Sequence, residues 1–80
     1  MPLFFFDVQD SGKVQKDGTG TELPDAEAAR TAAMRFLPDI AREEIPRDGD
    51  QRAFVVLVTD EDGRPVYSAT LNFAGLWLQR

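Results

Sequence analysis

The side chains that could carry chemistry here are mostly carboxylates. They fall in three clusters: Asp7 with Asp10, Asp48 with Asp50, and Asp60-Glu61-Asp62. A calcium site needs six to eight oxygens on a loop of set spacing. The ladder of alternating acids, a glycine and a distal glutamate that builds an EF-hand is missing around Asp60-Glu61-Asp62-Gly63. Turn formation and solvation explain these acids better, since Asp and Gly are the ordinary residues of turns. Glu43 and Glu44 are neighbours on a helix and so do not face each other as an acid–base pair would. Gly18-Thr19-Gly20 lacks the Gly-Lys-Ser that would follow in a phosphate loop, and reads as a connection. Phe4-Phe5-Phe6 could stack nucleic-acid bases only with basic residues beside it to hold the backbone.

The composition removes further chemistry. There is no cysteine and no histidine, which excludes a thiol nucleophile, an imidazole base, a disulfide and a zinc site built on either residue. We therefore expect no catalytic residues, no metal and no cofactor. The net charge is −5 and evenly spread. Residues 1–40 hold seven acids and four bases, and residues 41–80 hold seven acids and five bases. With no basic patch, partners that are nucleic acids or anionic membranes are disfavoured. No apolar run approaches a membrane span. The start, Met1-Pro2-Leu3-Phe4, has neither the basic region nor the apolar length of a signal peptide, so a cytoplasmic protein is expected.

The elements that would position these residues follow from hydrophobic period. A first strand spans 3–9, with Phe4, Phe6 and Val8 on its core face, because the other face would bury Asp7. A short edge strand, 13–16, carries a single apolar side chain, Val14. Asp17-Gly18-Thr19-Gly20 forms a loop. Pro24 keeps Leu23 extended. Asp25 caps a helix whose apolar face holds Ala26, Ala29, Ala33, Phe36 and Ile40, with Leu37 beside them. Pro38 interrupts the pattern at a cost of about 3 kcal/mol in a regular helix. Either one helix kinks there or a second begins at Pro38, and the apolar phase favours one kinked helix. On its surface Arg35 can pair with Asp39. Ile45-Pro46 ends the helix, and 47–52 is a polar loop.

A third strand spans 53–59, Asp62-Gly63 turns a hairpin, and a fourth strand spans 65–73. The fourth strand has Tyr67, Ala69, Leu71 and Phe73 on its core face. The sum is a single α+β domain, β-β-α-β-β, with a four-stranded antiparallel-rich sheet and one helix on one face. Its strand order is left open by the sequence.

One helix covers one face of such a sheet, yet apolar residues occupy both. Phe5, Val55 and Leu57 point away from the core, and Val66 falls on the same outer face. Trp77 and Leu78 add apolar surface near the end of the chain. An 80-residue chain is marginal without reinforcement. With disulfides and zinc excluded, oligomerisation is the reinforcement that remains. The expected interface is Phe5, Val55, Leu57, Val66, Trp77 and Leu78, and the expected partner is a second copy, giving a homodimer.

Three stretches also carry a resemblance: Phe4-Phe5-Phe6-Asp7; Gly20-Thr21-Glu22-Leu23-Pro24-Asp25 leading into Glu27-Ala28-Ala29; and Val58-Thr59-Asp60-Glu61-Asp62-Gly63-Arg64-Pro65-Val66. Together they resemble a family of small domains of unknown function found in rhizobia and related alphaproteobacteria. The resemblance implies a bacterial cytosolic protein and transfers no site. A looser likeness is to HicB-type antitoxin domains, which place an acidic hairpin before a Leu-Pro-Asp-like turn and an Ala-rich helix. That likeness implies a regulatory role on a separate protein partner. A small-molecule binder, with a carboxylate site in a dimer cleft, is the third reading.

Overall fold

A computed structural model describes residues 1–10, 12–47 and 49–79. Five strands and one helix follow in the order β1 (Leu3–Asp10), β2 (Lys13–Gln15), β3 (Thr21–Glu22), α1 (Ala26–Glu44), β4 (Gln51–Thr59) and β5 (Pro65–Ala74), with a single 3₁₀ turn, Ile45–Arg47, after the helix. The class is α+β, as the sequence predicts. The two-residue β3 is an addition to the predicted order. The strand order is β2-β1-β4-β5, with β3 also on β1, and every pairing is antiparallel.

The helix starts where its cap dictates. Asp25 is extended, and its Oδ1 accepts the Ala28 N–H at 2.9 Å. Pro38 lies inside one continuous helix. The buried helical face is Ala29, Ala33, Leu37 and Ala41, a run of i, i+4 positions. Three alanines let the helix lie close to β4 and β5. Ala26, expected on this face, is exposed, and Phe36 sits at the rim, edge-on to Phe6 with ring centres 6.5 Å apart. Asp39 meets Arg42 at 3.7 Å, where the sequence suggested Arg35.

Phe4 and Val8 of β1 and Phe54, Val56 and Val58 of β4 complete the core, with Phe54, Val56 and Val58 fully buried. The cross-strand pairs Phe54–Leu71, Val56–Ala69 and Val58–Tyr67 put the predicted face of β5 on the same side.

Candidate interaction surface

The outer face of the sheet is built by the same alternation that buries the core. On β4 it takes Ala53, Val55, Leu57 and Thr59. Phe5 lies opposite Thr59, Asp7 opposite Leu57, and Gln9 opposite Val55. Phe5, Leu57 and Val55 therefore form a diagonal across the two central strands. Leu57 is 37 % exposed; Phe5 and Val55 are half-buried, with the Phe5 ring close to Gly20. Val14 pairs with Gln9 and joins this face, 59 % exposed. The β5 residues there, Ser68, Thr70 and Asn72, are polar.

The other three expected contact residues are placed differently. Val66 packs against the buried cluster, close to the register shift at Val58/Thr59, so it is not part of the free outer face. Trp77 and Leu78 are exposed, Leu78 at 90 %. They follow Gly75, whose N–H donates to the Asp50 carbonyl. That is the Gln51 end of β4, the opposite end of the sheet from Phe5. The fold brings Phe5, Val55 and Leu57 together and sends the tail away from them.

Two of the three acidic clusters are engaged in the fold. Asp60 Oδ1 accepts the N–H groups of Asp62 and Arg64 at 2.9 Å each, shaping the hairpin. Glu61 Oε1 accepts the Leu3 N–H. Asp7 Oδ1 accepts the Asp17 N–H at 2.9 Å. Asp48 lies outside the described residues. Among the described residues, no group of three or more His, Cys, Asp or Glu could hold a metal ion, and no helix is long and apolar enough to cross a membrane.

Two polar residues take a part in the fold that their place in a loop does not suggest. Asp17 sits where β1 changes neighbour from β2 to β3. Its Oδ2 accepts the Phe6 N–H at 3.1 Å, and its Oδ1 accepts Thr19 and Gly20 N–H at 3.0 and 2.9 Å. One carboxylate thus replaces a missing stretch of strand. It also occupies the donor nest of Gly18-Thr19-Gly20 that an external anion would need. The Gly20 N–H above all, with those of Phe6 and Thr19, holds the Asp17 carboxyl below its ordinary pKa, against the opposing effect of partial burial.

Arg52 is the second. Expected in a polar loop, it is 6 % exposed and on the core face of β4. Its guanidinium donates to the Glu44 carbonyl at 2.8 Å and to the Asp10 carboxylate, and lies 5.1 Å from the centre of the Phe54 ring. It ties the helix end to β1. The signal was present: Arg52 is in phase with Phe54, Val56 and Val58.

Beside the helix, where α1 leaves β1 and β2 uncovered, a cleft of about 510 Å³ opens between Phe6, Phe36, Lys16, Thr19 and Thr21.

The sequence profile of a domain of unknown function, DUF6894, matches residues 3–72. The chain belongs to the DUF6894 family. The match runs from the start of β1 through Asn72 in β5 and leaves the exposed tail outside it. No curated protein and no solved structure matches the chain. Family membership assigns no activity, so function has to be argued from the surface.

Proposed function

We propose that this protein is a non-enzymatic interaction module that associates with a second copy of itself through the outer sheet face. The observation that carries the reading is the diagonal of Phe5, Leu57 and Val55, left open because the single helix lies on the other face. Val14 extends it at one edge. Interfaces of this kind place apolar anchors at the centre and polar groups around them. Here Asp7, Ser68 and Thr70 supply the rim, and Gln9 lies between Val55 and Val14. A standard contact removes about 800 Å² per partner, roughly one-seventh of this chain's 5848 Å². The diagonal needs its polar surround to reach that area.

Light scattering coupled to size exclusion tests the reading. Leu57→Glu places a charge at the centre of the face, and the assembly mass should fall while the circular dichroism stays native. An unchanged mass sinks the outer-face contact. A bacterial cytoplasmic setting agrees with the resemblance to rhizobial domains and with the absence of cysteine. Recovery from the particulate fraction of source cells would overturn it. The cleft beside Phe6 and Phe36 supports a second reading, a small-molecule binder. A thermal-shift screen of metabolites that raises no Tm would remove its support.

A further inference from the structure

The two edges of the sheet are protected to very different degrees. Along the β1 side, β2 is three residues long and carries Lys13, with Lys16 just beyond it. The gap between β2 and β3 is closed by the Asp17 carboxylate. Short strands, edge lysines and interruptions are the devices that keep sheets from joining. The opposite edge is β5, ten residues long and, among the described residues, paired with β4 alone. Its only proline stands at its first position, and none of the chain's 14 acids and 9 bases lies between Pro65 and Gln79. The face of β5 toward the helix is also only half covered, ending in Phe73 at 37 % exposure.

The backbone groups at that edge can be assigned. The Gly75 N–H bonds to the Asp50 carbonyl at 2.6 Å, in the register that pairs Ala74 with Gln51. Antiparallel ladders alternate bonded and non-bonded pairs. Alternation from Gly75 turns the N–H and C=O of Phe73, Leu71, Ala69 and Tyr67 toward β4. Those of Ala74, Asn72, Thr70 and Ser68 therefore point out of the sheet with no strand to receive them.

We propose that β5 pairs antiparallel with β5 of a second copy, about a twofold axis at Thr70. The occupant is argued from the strand itself. A partner must set apolar residues on the helix side and polar ones on the outer side, carry no like charge, and offer unpaired groups in matching phase. A second β5 meets all three. In the register centred on Thr70, Asn72 faces the other copy's Ser68, and Phe73 faces its Tyr67, which covers the exposed ring. Because the opposite edge is short and lysine-protected, the pairing closes at two chains and does not propagate. The axis stands perpendicular to the sheet, so the two outer faces become one continuous surface. The contact uses backbone groups of β5 and does not depend on the outer-face side chains.

The absence of cysteine allows a direct test. Thr70→Cys is made in a Leu57→Glu background, so that failure of the outer-face reading and failure of the edge are read separately. Bonded antiparallel pairs hold Cα atoms about 5.5 Å apart, inside the roughly 4.4–6.8 Å range of disulfides. Mild oxidation should therefore give a covalent dimer on a non-reducing gel. Adding Ser68→Pro removes one outward N–H without touching the β4 ladder, and should abolish the crosslink with circular dichroism unchanged. Asn72→Cys alone should crosslink poorly, and Ser68→Cys with Asn72→Cys should crosslink well. The last variant reads the same register if Thr70→Cys does not fold. The edge pairing is overturned if the folded Thr70→Cys chain stays monomeric under oxidation, or if Ser68→Pro leaves its crosslink intact. Equal crosslinking at Asn72→Cys alone overturns the register.

Discussion

Arg52→Met removes the guanidinium and keeps an apolar stem of similar reach beside Phe54. The losses include two charge-assisted hydrogen bonds, to the Glu44 carbonyl and to the Asp10 carboxylate. Such bonds contribute about 1.5–3 kcal/mol each, and breaking one side of a buried ion pair costs about 3–5 kcal/mol in full burial. Asp10 keeps 21 % of its side chain in contact with water, so it is rehydrated in part and the lower end applies. The expected loss is about 3 kcal/mol. A domain of this size has only about 4–12 kcal/mol in total. At about 4–8 °C per kcal/mol, Tm should fall by roughly 12–24 °C.

Urea titration followed by far-UV circular dichroism is the assay. Trp77 is two-thirds exposed in the tail, so its fluorescence is a poor reporter of the core. Protein concentration is held fixed, because self-association would add to apparent stability. A double-mutant cycle with Asp10→Asn should give a coupling of about 1–2 kcal/mol, within the range for residues in contact. A loss under about 0.5 kcal/mol, within the ordinary range for surface substitutions, would refute the inference that Arg52 ties the helix end to β1.

Asp17 and Gly20 make two further predictions about the same edge. The Asp17 carboxyl is held below its ordinary value, so its contribution to stability is fully present above the unfolded pKa near 3.8 and is lost as pH falls through the lower folded value. Asp17→Asn should lower Tm at pH 7, and the gap from the parent should narrow on acidification toward pH 2; a gap that is constant with pH would count against the carboxylate's role. Gly20 has φ +81°, and a Cβ there would stand 2.9 Å from Leu3 Cγ and 3.0 Å from Phe5 Cε2. Gly20→Ala should cost about 1–3 kcal/mol from backbone strain and crowding, and a neutral effect in urea titration would refute that placement.

Much of the fold is legible in the sequence because the signals are local. The cap at Asp25, the Asp62-Gly63 turn and the alternation through Phe54, Val56 and Val58 need only a few residues of context each. The outer placement of Phe5, Val55 and Leu57 follows from the same period-2 rule, and the structure puts them on one diagonal. Val66 escaped that rule because the register shift at Val58/Thr59 changes the phase of the strand beside it. Helical spacing points to Ala26 and Phe36, one row away from the face that is buried. The helix lies over β4 and β5 rather than over β1, and no spacing within the helix reports that choice.

What the sequence determined by itself is therefore the class, the elements and the alternating faces, since each depends on backbone period and on turn and cap chemistry within a few residues. Tertiary structure decided the rest, by joining groups far apart in the chain. It placed Arg52 under the helix end against Asp10, 42 positions away, and set the Asp17 carboxylate on the Phe6 backbone in place of a strand. It also ordered the strands so that β5, rather than a charged segment, became the open edge.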